Sequence, residues 1–269
     1  MSGLSVNEVT TYRWSFEEDV RNYCEAGIEA IGVWRQKLTD YGEDKAISLL
    51  ASSGLKASNV LWAGGFTGSD YRTYEESLAD AREALQLAKA LGAPYVIVYS
   101  GARNGHTLNH AKRLFCCALD ALLPEAEKLG VSLAIEPMHC GCADAWTFLT
   151  TIDCAVALIE QVGSPCLKLA FDTYHLGHDS RIVERIGGIA RHIGIVHLGD
   201  GTAHPDREQN RRCLGEGTLP LACIVRALKS AGYNGYYDVE LIGEDIERRD
   251  YRQLLIDAKA AYCRMVDSV

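Results

Sequence analysis

Short apolar runs and longer stretches with helical spacing alternate along the whole chain. The first apolar piece, Leu4 to Val9, is followed by Ser15-Phe16-Glu17-Glu18. That is a capping box, with Ser15 accepting from the backbone and Glu18 reaching back, so it predicts a helix start. Gly27 supplies the left-handed stop. Ala30-Ile31-Gly32-Val33-Trp34 then reads as a buried strand. A helix from Glu43 to Gly54 and a strand over Ala57 to Trp62 repeat the pattern. Thr73-Tyr74-Glu75-Glu76 is a second capping box, after which Leu78, Ala81, Leu85 and Ala88 recur at helical spacing up to Gly92.

The alternation continues to the end of the chain. Tyr95 to Tyr99 reads as a strand. Thr107 to Gly130 reads as a helix in which Pro124 predicts a kink. Further strands are expected over 131–135, 167–171, 193–196 and 236–239, with helices over 145–162, 181–186, 218–231 and 250–265. That makes about eight strand-then-helix units, with no linker and no change of composition. Strict alternation implies a parallel sheet. Eight units in 269 residues suit one closed (β/α)8 TIM barrel, an α/β fold spanning 1–269, better than an open sheet. No Gly-rich phosphate fingerprint follows the first strand, which argues against dinucleotide binding.

The last four strands end alike. Val131-Ser132-Leu133-Ala134-Ile135 runs into Glu136, Leu167-Lys168-Leu169-Ala170-Phe171 into Asp172, Ile193-Gly194-Ile195-Val196 into His197, and Tyr236-Tyr237-Asp238-Val239 into Glu240. In a barrel the carboxyl ends of neighbouring strands meet at one mouth, so these four side chains converge. Three carboxylates at one point would repel each other and raise each other's pKa, which a divalent cation relieves. For any single one of them, capping of the next helix is an ordinary alternative; for all four together the set points to a metal. Its oxygen-rich donors suit Mn²⁺ or Mg²⁺ and tolerate Co²⁺, Fe²⁺ or Zn²⁺.

Composition narrows the partners. The formal net charge is −9, which disfavours nucleic acid. No apolar run approaches the ~18 residues of a membrane span, and no basic leader precedes an apolar stretch, so a soluble, cytoplasmic protein without membrane partners is expected. The 10 Cys are scattered and do not suggest a disulfide framework. Those at 24, 154, 166, 223 and 263 lie in apolar company and read as core residues. Cys140-Gly141-Cys142 is spaced too tightly for a structural zinc site and reads as a loop.

With these segments in view, the chain resembles the xylose-isomerase-like TIM barrel superfamily, in its sugar phosphate isomerase/epimerase branch. The resemblance rests on Ile135-Glu136-Pro137-Met138-His139, Phe171-Asp172-Thr173-Tyr174-His175, His197-Leu198-Gly199-Asp200, Gly215-Glu216-Gly217 and Val239-Glu240. It implies a metal held by Glu136, Asp172, His197 and Glu240, with the two glutamates doubling as general acid and base. It further implies substrate contacts from His175 and from an Arg before the Gly-x-Gly loop. Arg211 fits that place by spacing, in competition with Arg207 and Arg212. Trp34 and Trp62, at the ends of the second and third strands, are candidates for an apolar wall against a carbon skeleton, or equally for core aromatics. The polar stretch from Gly201 to Asn210 is long enough to cover a pocket. The role of His139 stays open among ligand, support and loop.

The expected activity is proton transfer next to the carbonyl of a small sugar, ketose or hydroxy-keto substrate through an enediolate, in an epimerase or isomerase. A dehydratase acting on an inosose- or dehydroshikimate-like substrate is the alternative. An endonuclease IV-like phosphodiesterase fits less well, since it needs further His ligands where Trp34 and Trp62 stand. A homodimer or homotetramer is the expected assembly.

Overall fold

The computed structural model describes residues 3–267. Eight parallel strands close into a barrel in strict sequence order. They are β1 Leu4–Asn7, β2 Ala30–Trp34, β3 Lys56–Gly64, β4 Tyr95–Tyr99, β5 Ser132–Ile135, β6 Leu167–Asp172, β7 Ile193–Leu198 and β8 Tyr237–Val239. Closure is made by β1 against β8, with Leu4, Ser5 and Val6 opposite Tyr237, Asp238 and Val239. The strands are nearly continuous apolar runs because both faces are covered, one by helices and one by the barrel interior.

Successive strand side chains point to opposite faces, and this sorts the core into two sets. Val96, Val98, Leu133, Ile135, Leu169, Phe171 and Val196 pack outward under the helices. Ile97, Ala134, Ala170 and Ile195 pack inside the barrel. The interior positions of β1, β3 and β8 carry polar residues instead. Asn7 and Asn59 donate to Asp238 Oδ2 at 2.9 and 2.8 Å, and the hydroxyls of Ser5 and Ser58 bond to one another at 2.7 Å. Gly32 makes room for this layer: a Cβ there would lie 2.4 Å from Asp238 Oδ2.

Both expected capping boxes form, Ser15 with Glu18 at α1 Phe16–Glu25 and Thr73 with Glu76 at α4 Tyr74–Leu91. Three short helices, over 35–41, 173–176 and 244–247, lie outside the anticipated pattern, and two anticipated helices keep narrower limits. α2 Arg35–Tyr41 follows β2 directly, ahead of α3 Glu43–Ser53, and has no side-chain cap to announce it. The helix expected over 145–162 begins at Ile152 as α6 Ile152–Val162, because Thr151 caps it, and only a 3-10 turn occupies Ala143–Ala145. The helix expected over 218–231 begins only at Leu221, after Pro220, since the residue before a proline is pushed out of the helical region. The remaining helices are α5 Leu108–Leu129, which contains Pro124, α7 Thr173–Leu176, α8 Ile182–Ile189, α9 Leu221–Ser230, α10 Glu244–Glu247 and α11 Tyr251–Asp267.

The cysteine expectation is corrected. Cys24, Cys154, Cys223 and Cys263 are exposed and Cys166 is half-buried; Cys142 and Cys213 are the buried ones. The exposed four lie on α1, α6, α9 and α11. Apolar neighbours along a helix are not neighbours on its surface, so apolar company in the sequence did not place these thiols inside.

Candidate metal centre

Glu136, Asp172, His197 and Glu240 each stand two residues beyond an inward-facing position, at 134, 170, 195 and 238, so all four point into the mouth. Each offers one ligand atom, and these atoms all lie within 4.8 Å of one another, buried. His197 Nδ1 is 2.8 Å from Glu240 Oε2 and 3.5 Å from Glu136 Oε1. Tyr99, at the inward end of β4, donates its hydroxyl to Glu136 Oε2 at 2.9 Å.

Asp172 does two jobs with two oxygens. Its Oδ1 accepts from the backbone N–H groups of Tyr174, at 2.6 Å, and His175, at 3.3 Å, so it caps α7. Its Oδ2 is free of that cap and faces the centre. Glu136 Oε1, Asp172 Oδ2, His197 Nδ1 and Glu240 Oε2 are all buried without an aligned hydrogen bond. Ion-pair distances connect them, but the angles do not make hydrogen bonds. One such atom per residue, all converging, is the donor set a divalent cation takes up.

Arg211 sits against the same group. Its Nη2 is 2.9 Å from Asp172 Oδ2 and 3.2 Å from Glu240 Oε1, its Nη1 donates to the Glu240 carbonyl at 3.0 Å, and the guanidinium lies 4.9 Å from the Tyr174 ring centroid. The side chain is 1 % exposed. Of its rivals, Arg207 is 83 % exposed and 3.8 Å from Asp144, and Arg212 pairs with Asp245.

The electrostatics follow from this packing. Burial pushes Glu136 up to about 7. Burial would raise Asp172 as well, but Arg211 overrides it and brings the carboxyl down to about 2. Glu240 is likewise held below its ordinary value by Arg211 and His197 against the effect of burial. Burial would lower His197, yet the carboxylates of Glu240 and Glu136 hold it well above the usual histidine range. His175 is brought down to about 4, chiefly by burial.

A cavity of about 340 Å³ opens above Glu240 and Arg211. Trp34, Trp62, Tyr99 and Trp146 line it. Trp62 and Trp146 meet edge to face at 5.2 Å, and Tyr99 and Trp146 at 5.6 Å. Both candidate wall tryptophans thus face this space, and neither is fully buried. Arg207, Glu208 and Gln209, from the long polar segment, stand over the cavity as its length suggested. His175 does not line this cavity. It lies 3.9 Å from Asp172 Oδ2, with Nδ1 3.4 Å from Cys142 Sγ, and faces a neighbouring cavity. Tyr99 and Trp146 were not singled out from the sequence. Tyr99 carried a signal, a polar-tipped side chain at a strand end; Trp146 lies in a loop and carried none.

Beneath His197, Asp238 Oδ2 is 3.9 Å from Nε2. The ring shows Nδ1 to the centre, while Nε2 lies beyond hydrogen-bond distance of that carboxylate and has no hydrogen-bond partner.

The chain matches the xylose isomerase-like TIM barrel family over residues 20–259 and belongs to it. Among named relatives, an inosose isomerase from Bacillus velezensis is 24 % identical over 270 residues, covering 95 % of this chain and 94 % of its own. A ketose 3-epimerase from Arthrobacter globiformis is 24 % identical over 246 residues, covering 88 % and 81 %. Among solved structures, the IOLI protein with a binding zinc atom superposes with a TM-score of 0.86 at 21 % identity, over 99 % of this chain and 98 % of that one. At that identity the likeness establishes the fold.

Proposed function

We propose that this chain is a divalent-metal-dependent isomerase or epimerase of a small sugar, inosose or ketose, moving a proton beside a carbonyl. The observation that carries the reading is the set of four buried ligand atoms, none with an aligned hydrogen bond, within 4.8 Å of one another, with Glu240 opening onto an aromatic cavity. Family membership and relatives named as isomerases and epimerases support the reaction class. Glu136, Asp172, His197 and Glu240 would hold the ion, with Mn²⁺ or Mg²⁺ the best match to three carboxylates and one imidazole. A bound cation supplies positive charge to the substrate oxygens.

The chain's own groups do the rest. Glu136 and Glu240 come from β5 and β8, so they flank the cavity floor from two sides. One carboxylate removes the proton from carbon and the other returns it, to the opposite face in an epimerisation or to the adjacent carbon in an isomerisation. Tyr99 fixes the orientation of Glu136 through its 2.9 Å hydrogen bond. Arg211 keeps Asp172 and Glu240 ionised. Trp34, Trp62 and Trp146 offer apolar faces to the carbon skeleton and keep bulk water off it.

The test is a panel of inososes and ketoses with Mn²⁺ in deuterated water, following isomer formation, label uptake at carbon and loss of water. Deuterium entering the carbon next to the carbonyl, with formation of an isomer, is expected. Elimination of water would reassign the protein as a dehydratase. No exchange with any member of the panel, from protein shown to hold its metal, would overturn the reading.

A further inference from the structure

Behind one wall of the aromatic cavity lies a buried charge cluster that the proposed centre does not use. Glu8 in the loop after β1, Asp19 on α1 and Lys37 on α2 are all buried. Glu8 Oε2 accepts from the Trp34 N–H at 2.7 Å. Lys37 Nζ donates to Asp19 Oδ2 at 2.6 Å and to the carbonyls of Glu8 and Thr11 at 3.0 and 2.9 Å. Thr11 donates its hydroxyl to Asp19 Oδ1 at 2.6 Å and lies 2.8 Å from the Tyr23 hydroxyl. These bonds fix the segment that brings Val9, Thr10 and Tyr12 to the cavity, and they fix Trp34 beside it. The Tyr12 and Trp34 rings pack with centroids 5.7 Å apart.

We propose that Glu8 is a positioning residue, held as the neutral acid, that anchors Trp34 and the β1 loop as one wall of the substrate cavity. Two carboxylates here face one ammonium, so one retained proton leaves the cluster neutral, and an uncompensated buried charge is costly. Asp19 has Lys37 and Thr11 on its two oxygens, whereas Glu8 Oε1 has no aligned hydrogen bond. The proton therefore belongs on Glu8. Burial, and then the charge of Asp19, raise Glu8 well above the ordinary glutamate range, while burial raises Asp19 to about 6 against the pull of Lys37. Tyr23 on α1, with Asp238 of β8 beyond it, completes the titratable groups around the cluster, and burial raises the phenol so that it stays neutral. A neutral carboxyl still offers Oε2 to the Trp34 N–H and adds no second negative charge beside Asp19. The part played toward substrate rests on the function proposed above; the anchoring does not.

Glu8→Gln keeps a carbonyl oxygen for the Trp34 N–H and is neutral at every pH, whereas Glu8→Leu keeps bulk and loses the acceptor. The folded chain holds a proton on Glu8 that the unfolded chain releases above about 4.3, so the parent loses stability as the pH rises from there and Glu8→Gln does not. In thermal unfolding of metal-free protein, Glu8→Gln should melt above the parent by about 4 °C or more near pH 8, and the margin should shrink toward pH 5. Hydrogen exchange read by mass spectrometry should be about tenfold or more faster in the peptide holding the Trp34 amide for Glu8→Leu than for Glu8→Gln, with peptides of β5 to β8 alike in both. With a substrate in hand, KM for Glu8→Leu should exceed that for Glu8→Gln by about fivefold or more, with kcat changed less. A Glu8→Gln protein that melts at or below the parent near pH 8, or by a margin that does not vary with pH, overturns the neutral acid; this arm decides even where Glu8→Leu does not fold. Equal exchange at Trp34 in the two variants overturns the anchoring, and equal KM overturns its service to substrate. Melting and exchange as expected, in a protein that turns over no member of the panel, would uphold the anchor and overturn the proposed function instead.

Discussion

Arg211→Met removes one buried cation from between two buried carboxylates at nearly constant bulk. In the metal-free protein, Asp172 and Glu240 are then left facing each other and His197, with their strongest neutralising partner gone. Breaking a buried ion pair by deleting one partner costs about 3–5 kcal/mol. For a chain of this size each kcal/mol shifts the melting temperature by about 2–4 °C, so a drop of roughly 10 °C is expected. Thermal and urea unfolding in chelator read it directly. Saturating Mn²⁺ should recover part of the loss, since a divalent ion restores positive charge at the same carboxylates and binds only the folded chain. Arg207→Met, on an exposed arginine, and Arg212→Met, on a half-buried one paired with Asp245, should stay within about 0.5 kcal/mol of the parent. The acid limb gives a second reading. Asp172 is lowered in the folded state, so its contribution is present above the unfolded value of about 3.9 and is lost as the pH falls toward about 2. Without Arg211 the burial that raises Asp172 is no longer overridden, so the deficit of the metal-free variant should be largest near neutral pH and should narrow as the pH falls through this range. An Arg211→Met protein that unfolds in chelator at the parent's midpoint would refute the account of Arg211 as the charge that makes this carboxylate cluster tolerable.

Glu136→Gln and Glu240→Gln keep a ligating oxygen but cannot take up a proton, so each should lose turnover by about 10²-fold or more while still binding metal weakly, as checked by metal analysis alongside kinetics. Trp62→Ala should raise KM more than it lowers kcat, because an apolar wall binds ground and transition states alike. Thr73→Ala should cost about 1 kcal/mol in urea unfolding by removing the cap of α4.

The barrel was legible because strand and helix periods alternate without interruption, and because both capping boxes and the stops at Gly27 and Gly92 are local signals. The four strand-end residues were legible for a related reason: a charge directly after an apolar run has only the barrel mouth to enter. What escaped reading depends on contacts between distant segments. Nothing near Arg211 in the chain announces Asp172, 39 positions earlier, or distinguishes it from Arg212, one residue on, which turns outward to Asp245. His175 matches a motif by spacing, and the short helix that Asp172 caps holds it 3.9 Å from Asp172 Oδ2, beside a neighbouring cavity. α2 was missed because Trp34 supplies no capping side chain, and the exposed cysteines because neighbours in sequence are not neighbours on a helix surface.

The barrel divides its labour by halves. β5 to β8 deliver all four candidate ligands, while Trp34, Trp62 and Tyr99 come from β2, β3 and β4; Trp146, Arg207, Leu241 and Ile242 add wall from the second half. The ligand-bearing half and the half that carries the three strand-end aromatics touch along two seams, β4 against β5 and β8 against β1. Drift or recombination in the first half can reshape the wall without moving a ligand. Grafting the first half of a relative onto the second half of this chain should replace the three strand-end aromatics and leave the four candidate ligands of the barrel mouth where they are.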